Sequence, residues 1–181
     1  MQQDLIIKYK NIKKRLNQGY TLPEVLVYIV LFVIMSTLVV SMLLTMSKSF
    51  SEIRANRDLS RSGTSVMERI EREIQNAESI DSANSTLGSS PGVLTLNGHD
   101  SSGVARTVKF DVTSNKLHVY ENGADQGVLS SDPTTVSSLI FQSITTTKGS
   151  GVKVSLTLTD VRGSQTRSES FYTTVTLRGS Y

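Results

Sequence analysis

From Val25 to Leu44 the chain reads VLVYIVLFVIMSTLVVSMLL, twenty residues with no charge and only Ser36, Thr37 and Ser41 as clearly polar interruptions. At about 1.5 Å per residue a helix of this length spans about 30 Å, the thickness of a bilayer's hydrocarbon core. A cleaved secretory signal has a shorter apolar region followed by a small-residue site, and TMSKS at 45–49 does not supply one. The segment therefore reads as a membrane span. Basic residues before it and a long polar segment after it place the N-terminus on the cytoplasmic side and the rest outside.

Charge follows the same division. The net of +3 is unevenly spread: residues 1–19 hold Lys8, Lys10, Lys13, Lys14 and Arg15 against Asp4, whereas the remainder carries 14 basic and 15 acidic residues. Beyond residue 19 the chain is close to neutral, so its basicity does not point to direct nucleic-acid binding. There is no cysteine, which excludes a disulfide framework, thiol catalysis and cysteine-ligated zinc.

The apolar run passes without a proline into SKSFSEIRANRDLSRSGTSVMERIEREIQNAESI. Phe50, Ile53, Leu59, Met67, Ile70, Ile74 and Ala77 recur at helical spacing and can share one stripe. Glu68–Arg72 and Arg69–Glu73 stand at i,i+4, each supportive by a few tenths of a kcal/mol. The expectation is one helix, or two nearly collinear pieces, from about Tyr20 to about Ser79, with Gly63 as the position where it would bend. The amphipathic half must lie against something. After the loop DSANSTLGSSPG the period changes to two. GVLTL (92–96), RTVKFDV (106–112), KLHVY (116–120), SSLIFQSI (137–144), GVKVSLTLTD (151–160) and SESFYTTVTL (168–177) read as short strands. TSN (113–115), ENGADQG (121–127) and VRGSQTR (161–167) suit antiparallel connections. The fold expected is α+β, a long N-terminal helix packed on an antiparallel sheet.

Catalytic and metal patterns are thin. His99 and His118 are the only histidines, with no spacing that recruits both to a metal, and the polar loops around 97–103 and 121–127 read as turns. GSSPG (88–92) matches G-x-S-x-G, with Ser90 at the nucleophile position and Asp111 and His118 downstream. That chemistry needs a strand before the serine and a helix after it, whereas here a loop precedes and a strand follows. NST (84–86) fits the N-glycosylation pattern, and GSG (149–151) leads into a strand rather than a phosphate-cradling helix turn. No enzyme activity and no cofactor is expected.

One carboxylate stands out, Glu24, at the mouth of the apolar run. KKRLNQGYTLPEVLVYIVLF (13–32) resembles the class III signal of type IV pilins and type II secretion pseudopilins: a basic leader, Gly19, an aromatic Tyr20, Thr21, Leu22, Glu24, then the apolar stretch in fixed order. The strong part of the match covers residues 14–45. VMERIEREIQNAESI and the closing FYTTVTLR resemble minor pilins and minor pseudopilins more loosely. The resemblance implies a leader at 1–19 with charges Lys13, Lys14 and Arg15, a transmembrane and assembly helix at 20–46, an amphipathic half at 47–80 and an antiparallel β region at 81–181.

By position, it implies cleavage by prepilin peptidase after Gly19, a new and usually N-methylated terminus at Tyr20, and a Glu24 carboxylate that docks on a neighbouring subunit's terminus. The implied partners are the peptidase, other pilins or pseudopilins, the inner-membrane assembly platform and, before assembly, membrane lipid. Tyr20 stands where phenylalanine is usual, and Pro23 where an aliphatic residue is common. A proline in the first turn loses no helical hydrogen bond. A second expectation is a single-span anchored ectodomain that binds an extracytoplasmic ligand without polymerising. A third is an anchored hydrolase acting through Ser90.

Overall fold

The structure, a computed structural model, describes residues 19–146, 149–162 and 165–178. Lys13, Lys14 and Arg15 lie outside the described residues. The chain divides into two compact units, Met1–Lys48 and Ser49–Tyr181.

In the first unit, α1 (Leu22–Asn76) begins, and every described residue as far as Lys48 except Ser36 is exposed, the apolar ones included. Two of its hydroxyls are satisfied within the helix: Thr37 Oγ1 donates to the Val33 carbonyl and Thr45 Oγ1 to that of Ser41, both at 2.9 Å. It is the one helix among the described residues long and apolar enough to cross a membrane.

In the second unit α1 continues to Asn76 and buries one face: Ala55, Leu59, Ser62, Gly63, Val66, Met67, Ile70, Glu73 and Ile74. The stripe expected from spacing holds from Leu59 onward, but Phe50 and Ile53 are 51% and 55% exposed. The buried face starts at Ala55, so their apolar side chains have no covering layer within this unit. Gly63 does not break the helix. The Phe171 ring lies on it so closely that a Cβ at Gly63 would come within 2.1 to 2.6 Å of three ring carbons. The residue that looked like a hinge is a seat for an aromatic side chain.

Eight strands follow: β1 (Ser79–Ile80), β2 (Leu94–His99), β3 (Ala105–Thr113), β4 (Lys116–Glu121), β5 (Ala124–Val128), β6 (Thr135–Thr146), β7 (Gly149–Arg162) and β8 (Gln165–Thr176). All pairs are antiparallel, and they form two sheets rather than one, in the orders β1-β2-β3-β4-β5 and β6-β7-β8. The inward rows of both sheets, Leu94, Leu96, Phe110, Leu117, Leu139, Phe141, Val154 and Leu156 among them, share one core with Leu59, Ile70 and Ile74 of α1. This is the expected α+β arrangement, its β layer split in two.

Turn chemistry explains several register choices. Ser114–Asn115 and Asn122–Gly123 connect β3 to β4 and β4 to β5, and all four residues have φ between 51° and 85°. Two residues in the left-handed region match the twist of the flanking strands. Because Asn122–Gly123 reverses the chain at once, Ala124–Val128 pairs with β4 as a strand, where its composition had suggested only connection. Likewise Val161 and Arg162 pair with Thr166 and Gln165, so those strands run further than their alternation indicated.

A charged cluster fixes the end of α1 to the first sheet. Glu73, 5% exposed, meets Arg106 Nη1 of β3 at 2.8 Å and Arg69 Nη2, one turn back, at 2.9 Å. Arg106 Nε also donates to Glu121 of β4 at 2.5 Å. Of the two i,i+4 pairs read from sequence, Arg69–Glu73 forms and Glu68–Arg72 does not. Arg162 closes a second contact, donating to Asp160 at 2.9 Å and to Asp58 of α1.

Candidate functional site at the start of the helix

The N-terminal turn of α1 is built from a short local pattern. The Thr21 carbonyl accepts from Glu24 N–H at 3.0 Å and Val25 N–H at 3.1 Å, which makes Thr21 the N-cap. Glu24 then occupies the third helical position, and its Oε2 reaches back to the Thr21 N–H at 3.5 Å. T-x-x-E is the capping-box pattern, and its glutamate half is the part formed here. Pro23 falls within the first turn, where its missing N–H costs nothing. The sequence carried this signal in plain form, TLPE at 21–24, and it gives Glu24 a local role as well as any intermolecular one.

Glu24 has a second neighbour. The Tyr28 hydroxyl, one turn further on, lies 3.4 Å from Glu24 Oε1. The Tyr28 ring stands edge-on to that of Tyr20, with centroids 6.1 Å apart. Gly19, Tyr20, Glu24 and Tyr28 thus gather at one exposed end, with Tyr20 74% accessible. Both contacts to the carboxylate are long for hydrogen bonds. An ionised carboxylate offers about four acceptor positions, so two weak donors leave it able to take a stronger one. Of the residues singled out in the sequence, the structure brings Gly19, Tyr20 and Glu24 together; the basic leader charges lie outside the described residues.

The other candidates do not converge. Ser90 Oγ accepts from Leu139 N–H and from the Ser138 hydroxyl, both at 3.2 Å, and so holds the 86–93 loop to β6. Asp111 pairs with Lys109 at 2.8 Å, and His118 Nδ1 with Asp125 Oδ2 at 3.0 Å. Asp111 and His118 are cross-strand partners, but no hydrogen bond joins either to Ser90. His99 Nδ1 meets Glu78 at 2.8 Å. Among the described residues no three His, Asp or Glu side chains gather as metal ligands. Asn84 of the glycosylation pattern is exposed, but its amide donates to Asp81 at 2.7 Å.

Compared with family models, with curated proteins and with solved structures, the chain shows no match.

Proposed function

We propose that the chain is a minor pilin or pseudopilin, a structural subunit made as a membrane-anchored precursor, cut after Gly19 by prepilin peptidase and assembled into an extracytoplasmic filament. The observation that carries this reading is the carboxylate of Glu24 in the first turn of a helix whose following twenty residues are uncharged, mostly apolar and, Ser36 apart, exposed. Such a surface requires apolar surroundings, whether lipid or other helices of the same kind. In those surroundings an uncompensated carboxylate costs a few kcal/mol, less near the interface than at the centre. Cleavage after Gly19 creates an ammonium on Tyr20, and on an adjoining chain that group is the partner Glu24 lacks. In low dielectric the pair is far stronger than in water, and breaking it strands a charge. The reading also places the N-terminus in the cytoplasm, with prepilin peptidase, other pilins and an inner-membrane platform as partners.

The deciding measurement is the N-terminal sequence and mass of the membrane-extracted protein from cells with and without prepilin peptidase. The mature chain is expected to begin at Tyr20 only when the peptidase is present. A mature chain that still begins at Met1 overturns the proposal and favours an anchored ectodomain that never polymerises.

A further inference from the structure

The first sheet turns alternate residues away from the core, and on that outer face lies a cleft of about 570 Å³. Small-molecule sites commonly occupy about 300–1,000 Å³. Its floor is a cross-strand row, Thr95, Lys109 and Tyr120 of β2, β3 and β4, with Thr107 two residues along from Lys109. Asp81 and Asn84 line it from the loop between β1 and β2. These parts are braced. Asp81 Oδ1 accepts from the Ala83 and Asn84 N–H groups at 3.1 and 3.2 Å, and Oδ2 from Asn84 Nδ2 at 2.7 Å. Thr95 ties the loop to β2: its hydroxyl donates to the Asn84 carbonyl at 2.8 Å and its N–H to Ser85 Oγ at 2.9 Å. Lys109 Nζ lies 5.5 Å from the Tyr120 ring centroid, and the His118 ring stands beside that ring at 6.2 Å and 25°. Groups already held in place lose little freedom when a ligand arrives.

The cleft is close to neutral. Lys109 is matched by Asp111 at 2.8 Å, and the Asp81 carboxylate lines the same space, so an anion meets no unpaired cation there. No Leu, Ile, Val or Met is among the lining residues, which leaves an apolar ligand little to pack on. What remains is hydrogen-bonding capacity. Among the described residues the Tyr120 hydroxyl has no hydrogen-bond partner. Asn84 spends one amide hydrogen on Asp81 and keeps the other, together with its side-chain carbonyl oxygen. Thr95 and Thr107 donate their hydroxyl protons within the protein, the latter to Asn97 Oδ1 at 3.1 Å, and keep lone pairs. Uncharged donors and acceptors set beside an aromatic ring complement a ligand rich in hydroxyl groups, each of which donates and accepts.

We propose that this cleft binds a neutral oligosaccharide. Tyr120 supplies an apolar ring with a polar tip, and the Asn84 amide and the two threonine hydroxyls fix the orientation of the sugar hydroxyls. A peptide fits less well. Extended peptides add to a sheet at its edge, through main-chain hydrogen bonds. This cleft lies on a sheet face, where the backbones of β2, β3 and β4 are already paired with one another.

The test uses the full chain in a zwitterionic detergent, because a detergent with a sugar headgroup would compete. It is applied to an array of short neutral oligosaccharides of glucose, galactose, mannose and N-acetylglucosamine. Sulfated and phosphorylated forms of the same sugars and short neutral peptides are printed beside them. Binding to neutral oligosaccharides is expected, and the strongest is then titrated by calorimetry. Tyr120→Ala and Asn84→Ala are each expected to weaken it by roughly tenfold, and Tyr120→Phe, which loses only the hydroxyl, by roughly threefold or more. Tyr172→Ala, which removes an exposed tyrosine of the other sheet, is expected to leave it unchanged. Circular dichroism checks the fold of each variant; where Asn84→Ala alters the spectrum, the two Tyr120 variants decide. No bound glycan, binding confined to the sulfated or phosphorylated forms or to peptides, or neutral binding indifferent to the Tyr120 variants each overturns the proposal.

Discussion

Under the proposed function, Glu24 would meet two demands that one substitution separates. As a capping residue it needs an acceptor at the third helical position, which glutamine also provides. As the partner of a neighbouring terminus it needs a negative charge. Glu24→Gln therefore keeps the local turn and removes only the charge. The expected outcome is normal cleavage after Gly19, normal membrane insertion and loss of filaments, read by immunoblot of sheared surface fractions; filaments at the parental level would remove the intermolecular role. Loss of cleavage as well would trace the defect to processing instead. At Glu73 the charge is handled differently. It is buried but has two arginines, Arg69 and Arg106, so the protein never leaves it alone. Glutamate there was indistinguishable in sequence from its neighbours Glu68, which is exposed, and Glu71, which is half-buried, because only the position of β3 decides which of them meets Arg106.

At the scale of the element, α1 is one continuous helix with two kinds of surface. The half inside Met1–Lys48 meets no protein layer, and its stability rests on its own backbone hydrogen bonds and on the medium around it. The half inside Ser49–Tyr181 depends on fit. Gly63 shows how close that fit is: alanine is a better helix former by about 1 kcal/mol, yet its methyl group would occupy the space of the Phe171 ring. Overpacking of this kind costs about 1–3 kcal/mol, so Gly63→Ala is expected to be net destabilising by about 1 kcal/mol. Urea unfolding of the full chain in detergent, followed by β-sheet circular dichroism, tests this. The exposed neighbour Thr64→Ala provides the reference and is expected to stay within about 0.5 kcal/mol of the parent. If Gly63→Ala proves as stable as Thr64→Ala, the Phe171 contact does not constrain the helix.

Over the whole molecule, several carboxylates are held below their ordinary ionisation range. Glu121 is lowered chiefly by its hydrogen bond from Arg106. Asp81 is lowered by the Asn84 side chain, Asp100 by the backbone N–H groups of Val104 and Ser102, and Asp125 by that of Gly127. A carboxyl group with a depressed folded-state pKa contributes stability that is present above its unfolded value and is lost as pH falls through the folded one. The ordinary values are 3.8 for these aspartates and 4.5 for Glu121, so stability is expected to be flat toward neutrality and to fall below about pH 4.5. Arg106 is raised by the same hydrogen bond, and its contribution is fully present throughout this range. Glu121→Gln is expected to make the acid decline shallower in unfolding titrations between pH 3 and 6; an unchanged slope would mean that the Arg106 contact carries no charge-dependent stability.

Much of this was legible in the residues themselves. The uncharged run at 25–44, the return of polar faces after Ser49 and the alternation in 106–112 and 151–160 each fixed an element type, because helical and strand periods are properties of neighbouring residues. TLPE announced its own cap, and Asn122–Gly123 its own turn. What the chain could not disclose locally was which elements would meet. Ala124–Val128 became a strand because a tight turn delivered it to β4. Phe50 and Ile53 stayed exposed because the buried face of α1 begins only at Ala55. Gly63 became a seat because Phe171, more than a hundred positions away, closed over it. The division into two sheets was likewise settled by long-range pairing, where burial of a shared core outweighs any preference a short segment holds by itself.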